Sequence, residues 1–94
     1  MPITYLRVEL APDAAERGLA VLQQALVDTR AFEGCGNVRP FVDPGDPSKV
    51  VVREEWASRE REDAYVAFRA TPEGAIDGFA DVLAAPPVRE HVQD

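Results

Sequence analysis

The chain has 94 residues, 46% of them hydrophobic, which is one compact domain's worth (residues 1–94) and too apolar for a disordered segment. A net charge of -7, from 17 acidic against 10 basic residues, argues against binding nucleic acid or an anionic membrane surface, and no basic stripe is present. The single cysteine, Cys35, excludes an intramolecular disulfide, and no apolar run reaches the length of a membrane span.

Ile3 to Leu10 alternates cleanly. Leu6, Val8 and Leu10 share one face; Tyr5, Arg7 and Glu9 share the other, which predicts a strand with one apolar side. Ala11-Pro12-Asp13 closes it. Asp13 is placed to cap a first helix, with Glu16 three residues on completing a capping box. Leu19, Leu22, Ala25, Leu26 and Thr29 then recur at helical spacing to about Arg30. Gly18 is a weak point in this helix, costing roughly 1 kcal/mol relative to alanine.

A second strand is expected from Asn37 to Asp43. Pro40 cannot donate a ladder hydrogen bond, so this strand belongs at a sheet edge or carries a bulge. Asp43-Pro44-Gly45-Asp46-Pro47-Ser48 signals a loop, and Lys49 to Trp56 reads as a third strand. Ser58 caps a second helix from Arg59 to about Ala70, with Ala64, Ala67 and Phe68 as its apolar stripe and Tyr65 beside it. Pro72 suits the first turn of a further helix, Glu73 to Ala84, turning Ile76, Phe79, Ala80 and Leu83 inward. Ala85-Pro86-Pro87 ends it, and Val88 to Val92 makes a last strand.

The order β-α-β-β-α-(α)-β predicts an α+β, ferredoxin-like domain: a four-stranded antiparallel sheet with helices on one face. Arg7, Glu9, Arg53 and Glu55 then share the far face with Tyr5, Phe41 and Val51. That face is either open to solvent, with cross-strand charge pairs, or covered by the sheet of a second copy. The joint exposure of Tyr5, Phe41 and Val51 favours the second arrangement.

Four segments together resemble the antibiotic biosynthesis monooxygenase family. Glu54-Glu55-Trp56-Ala57-Ser58 is similar to its E-x-W-x-S segment. Arg30 to Cys35 is similar to its R-x-x-x-G-C junction, Asp43 to Pro47 to its hairpin turn, and Leu83 to Pro87 to the end of its last helix. The resemblance implies a dimeric α/β barrel with a pocket between sheet and helices in each subunit. It further implies activities that range from cofactor-free oxidation of polycyclic phenols to haem degradation and isomerisation of small sugar-derived signals. Many members carry a histidine where this chain has Tyr65, and the haem-degrading branch an asparagine where it has Leu6. Haem degradation is therefore set aside.

Cofactor-free oxygenation requires a flat apolar substrate, removal of one proton, and exclusion of water. Trp56 is placed to stack on a ring, Tyr65 to hydrogen-bond or shuttle a proton, and Glu54 to act as base if burial raises its pKa. The expected pocket is lined by Leu6, Val8, Leu22, Leu26, Phe68, Phe79 and Leu83. Each candidate also has a packing reading: Trp56 as core, Tyr65 as a half-buried helix residue, Glu54 as one half of an ion pair. His91 reads as a surface residue and Cys35 as a buried structural thiol, and no second His or Cys accompanies them to suggest a metal site. The reading is thus a small oxygenase without metal or cofactor, acting on an aromatic molecule as a homodimer. The alternative is a non-catalytic barrel that binds a small ligand or a protein. The first residues lack the basic-then-apolar pattern of a signal peptide, which makes the cytoplasm the expected location.

Overall fold

The computed structural model describes residues 2–92. Strand β1 (Ile3–Glu9) sits inside a four-stranded sheet of order β2-β3-β1-β4, with every neighbouring pair antiparallel. The other strands are β2 (Cys35–Asp43), β3 (Asp46–Trp56) and β4 (Val88–Val92). Helices α1 (Ala15–Ala31), α2 (Arg59–Arg69) and the short α3 (Phe79–Val82) complete the ferredoxin-like order.

The alternation in β1 sets the two faces. Leu6 pairs with Val52 and Val8 with Val50, so these four side chains share the face that meets the helices. They join Leu10, Leu22, Leu26, Val38 and Val82 in one core. Tyr5 pairs with Arg53 and Arg7 with Val51 on the opposite face. Strand β2 is an edge strand and its register shifts between Cys35 and Val38, so Pro40 sits where a missing donor is tolerated.

The loop between β2 and β3 is shorter than expected. Asp43 pairs with Asp46, leaving Pro44-Gly45 as the turn, and β3 starts at Asp46. Asp43 Oδ1 accepts from Gly45 N at 2.7 Å, which stabilises the tight turn locally. Strand β2 likewise begins at Cys35, two residues before the expected start.

The capping box is absent. Pro12–Ala14 forms a 3-10 turn, Ala14 precedes α1, and no side chain caps it. Gly18 has a packing reason: a Cβ there would lie 2.7 Å from Leu10 Cδ2, so glycine lets α1 settle on the buried Leu10. Ser58 does cap α2, accepting from Arg61 N at 3.2 Å.

The third helix is much shorter than the span Glu73 to Ala84. Gly78 adopts φ +76°, which breaks a right-handed helix, and only Phe79–Val82 is helical. Gly74 lies against the end of α2, where a Cβ would come 1.9 Å from the Phe68 carbonyl oxygen. Among the described residues no helix is long and apolar enough to cross a membrane.

Candidate functional site

Helix α2 buries a polar stripe. Glu62 and Tyr65 are its buried residues, and Arg69 continues the same face at the next turn. Ala64 and Ala67 are exposed and Phe68 is 37% exposed, so the expected Ala64-Ala67-Phe68 stripe does not face the sheet. Inward direction follows from partners on the sheet: Thr4 on β1, Glu54 and Trp56 on β3, and Arg89 and His91 on β4.

Arg89 is brought to this face by its pairing with Leu6 across β1 and β4. Its Nη1 donates to Glu54 Oε1 at 2.8 Å and to Glu62 Oε2 at 2.9 Å. Glu54 and Glu62 are essentially inaccessible to solvent. Glu62 Oε2 also accepts from Thr4 Oγ1 at 2.7 Å and lies 3.1 Å from His91 Nε2. Its Oε1 is buried without a hydrogen-bond partner, and Arg59 Nε stands 3.7 Å away. Burial alone would raise the Glu62 pKa, but the bonds from Thr4 and Arg89 and the nearby positive charge hold it below the usual carboxylate range. Burial likewise opposes the charge on Arg89, and the two carboxylates more than offset it, raising the Arg89 pKa.

Trp56 is fully enclosed, and its Nε1 donates to Glu54 Oε1 at 2.9 Å. It packs in an aromatic cluster with Tyr65 at 5.0 Å and Phe32 at 6.4 Å between ring centroids. The tryptophan and glutamate candidates are therefore joined in one interaction inside the protein.

Tyr65 belongs to a second network. Its hydroxyl lies 2.7 Å from Thr29 Oγ1 and accepts from Arg69 Nε at 2.9 Å. Thr29 Oγ1 donates to the Ala25 carbonyl at 3.2 Å, which leaves Tyr65 to donate to Thr29. Arg69 also donates from Nη2 to Ala25 O and Thr29 Oγ1, and from Nη1 to Gly74 O. Arg69 and Arg89 flank the Tyr65 ring, with guanidinium carbons 5.2 and 5.9 Å from its centroid.

Beside this ring a cleft of about 500 Å³ opens between the sheet and the segment around α3. Leu6, Tyr65, Phe79 and Leu83 line it, together with Val66, Ile76, Ala80, Pro87, Arg69 and Arg89. The volume falls within the range of small-molecule sites. Val8, Leu22 and Leu26 lie in the closed core instead, and Phe68 packs against Phe32 at 5.6 Å. Glu54 and Trp56 sit behind Tyr65 and Arg89 rather than on the cleft wall.

Arg69, Arg89, Glu62, Thr4 and Thr29 were not singled out in the sequence. The i, i+3, i+7 spacing of Glu62, Tyr65 and Arg69 was a usable signal. Arg89 had none, because its place depends on the register of β4 against β1. His91 is exposed, as expected, and its ring also comes within hydrogen-bonding reach of the buried Glu62 carboxylate. Cys35 is half-buried; burial, then the nearby Glu54 charge, push its thiol up to about 11 against a smaller opposing effect of Arg30.

The model of the family described as antibiotic biosynthesis monooxygenase matches residues 1–75. That span includes Glu54, Trp56, Glu62, Tyr65 and Arg69, while Phe79, Leu83 and Arg89 lie beyond it. No curated protein matches the chain in sequence. A crystal structure described as antibiotic biosynthesis monooxygenase superposes with a TM-score of 0.83 at 21% identity, covering 100% of this chain and 98% of that one. Rv0793 from Mycobacterium tuberculosis gives 0.76 at 21% identity, covering 100% and 95%. NE2512 from Nitrosomonas europaea, described as a protein of unknown function, gives 0.78 at 22% identity, covering 97% and 85%. Likeness at this level of identity bears on the fold.

Proposed function

The chain belongs to the antibiotic biosynthesis monooxygenase family, and on that premise we propose that it is a small oxygenase acting on a flat phenolic or enolic molecule in the cleft beside Tyr65. The observation that carries the proposal is the cleft itself: apolar walls from Leu6, Phe79 and Leu83, with two guanidiniums 5.2 and 5.9 Å from the Tyr65 ring centroid. No bound cofactor enters the proposed reaction.

The substrate supplies the electrons. A proton passes from its hydroxyl or activated carbon to water at the cleft mouth, and the delocalised anion so formed passes an electron to molecular oxygen. Recombination of the two radicals forms a carbon–oxygen bond, the peroxide anion takes a proton back, and loss of water leaves a quinone-type carbonyl. For an anthrone-type phenol one O2 is consumed, one oxygen atom enters the product and the other leaves as water. The chain's part is to bind the ring and favour the anion. Arg69, 2.9 Å from the Tyr65 hydroxyl, supplies positive charge at the cleft wall. Tyr65 presents a fixed hydroxyl oxygen, and Glu54 and Trp56 act indirectly by holding Arg89.

The proposed working unit is a homodimer closed over the outer sheet face. Phe41, Val88 and Val92 are 49%, 57% and 38% exposed there, and Phe41, Val51 and Val88 line a second hollow of about 520 Å³. One observation favours the alternative, a non-catalytic barrel that binds a small ligand. Both buried carboxylates are engaged by Arg89, and among the described residues no Asp or Glu lines the cleft.

Oxygen uptake with an anthrone-type phenol separates these readings. Turnover above buffer that falls at least about tenfold in Tyr65→Phe supports the oxygenase. Binding of the phenol without oxygen uptake points to the ligand-binding barrel.

A further inference from the structure

Arg69 and Arg89 flank the same ring but differ in charge environment. Arg89 is shared between the carboxylates of Glu54 and Glu62, and Arg59 stands 3.7 Å from Glu62, so these two cations and two carboxylates are charge-neutral together. All the hydrogen-bond acceptors of Arg69 are neutral: the Tyr65 hydroxyl, the Thr29 hydroxyl, and the carbonyls of Ala25 and Gly74. Among the described residues no carboxylate forms an ion pair with it. Asp28, Glu73 and Asp77 line a separate hollow on its other side without reaching it. Arg69 is thus a half-buried cation, held rigidly by neutral groups, at the wall of an apolar cleft. A cation in such surroundings gains most from a counter-ion that arrives with the ligand.

From this asymmetry we infer that the cleft takes a planar, apolar organic monoanion, seated with its charge toward Arg69 and its uncharged end toward Arg89. The inference rests on the cleft being the substrate site and deepens the function proposed for it. A neutral analogue leaves Arg69 without a counter-ion. A dianion of similar length brings its second charge to Arg89, whose own charge is already answered by Glu54 and Glu62, inside a chain of net charge -7. The anion is either a carboxylate or the phenolate of an acidic phenol.

The test titrates the full-length protein with 2-naphthoate, 2-naphthamide, 2,6-naphthalenedicarboxylate and 2,4-dinitro-1-naphtholate. Backbone amide shifts of Leu6, Val66 and Ala80 report where each compound binds. A monoanion binding at least about tenfold tighter than both the amide and the dianion supports the inference, and the advantage should shrink as salt is added. Preference for naphthoate or for the naphtholate identifies the charged group as carboxylate or phenolate. Arg69→Gln should abolish the advantage and Arg69→Lys retain part of it. If Arg69→Gln does not fold, the salt series and the lysine variant still decide. Equal binding of amide and monoanion at the cleft overturns the inference while leaving the cleft as a binding site. No cleft shifts with any compound overturns the reading of the cleft as well.

Discussion

Glu62 Oε2 lies 2.9 Å from Arg89 Nη1, a contact between the first turn of α2 and the last strand that is closed to water on the glutamate side. The same nitrogen reaches Glu54 at 2.8 Å, so one guanidinium answers two buried carboxylates. The group joins α2, β3 and β4 through charge-assisted hydrogen bonds. Its energetics follow from what remains when one member is removed.

Removing the cation leaves two buried negative charges facing each other. Arg89→Met should destabilise the domain by about 3–5 kcal/mol at neutral pH, the range for breaking a buried ion pair from one side. Urea unfolding followed by Trp56 fluorescence measures it. The double variant Arg89→Met with Glu62→Gln should recover part of the loss, because one of the two stranded charges has gone. A loss below 1 kcal/mol in the single variant contradicts a buried ionic group.

Acid should weaken the same contact in a defined direction. The folded-state pKa of Glu62 lies below its ordinary value because Thr4 and Arg89 favour the charged form against the opposing effect of burial. The stabilisation is therefore complete above the unfolded-state pKa of about 4.3 and is lost as pH falls through the lower folded-state value. Unfolding midpoints from pH 7 down to 3 should decline more steeply in wild type than in Glu62→Gln. Parallel curves for the two proteins would remove the linkage.

Much of the fold was legible because it follows from local pattern. The alternation of Leu6 and Val8 against Arg7 and Glu9 gave β1, Pro40 pointed to an edge strand, and Ser58 marked the start of α2. The third helix was over-extended because Ile76, Phe79 and Leu83 suit helical spacing, while the φ of Gly78 and the close approach of Gly74 to Phe68 are three-dimensional facts. In the site, Tyr65 and Glu54 were noticed by residue type. The α2 stripe was misassigned because an apolar criterion cannot find a helix face whose inward residues are Glu62, Tyr65 and Arg69. Arg89 became visible only once β4 was registered against β1.

The Cys35 thiol should be slow to react. Its pKa of about 11 comes first from burial and then from the nearby Glu54 charge. At pH 8 only about 0.1% is then thiolate, the reactive form. Reaction with a disulfide reagent such as DTNB should be at least about tenfold slower in the folded protein than in the urea-unfolded chain, the smaller thiolate fraction being partly offset by the greater nucleophilicity of a more basic thiolate. Equal rates would exclude the raised pKa.

The outer sheet face yields the last expectation. Arg7 pairs across the strands with Val51, Phe41 with the same valine, and Arg7 with Val88 on the other side, so the row across the sheet is Phe41, Val51, Arg7 and Val88, three apolar side chains with one charge among them. Val51 is half-buried and outside the core formed against α1, so Val51→Lys should leave the monomer fold intact. A second copy laid on this row would have to bury the new ammonium unpaired, at a cost of several kcal/mol. Light scattering at micromolar concentration should therefore give a two-chain mass for wild type and a one-chain mass for Val51→Lys, with similar far-UV circular dichroism. Arg61→Ala serves as the control: it removes the exposed 3.1 Å pair with Glu33 away from the outer sheet face, worth about 1 kcal/mol or less, and should leave the dimer equilibrium unchanged. A one-chain mass for wild type would leave the outer face open to solvent and sink the barrel.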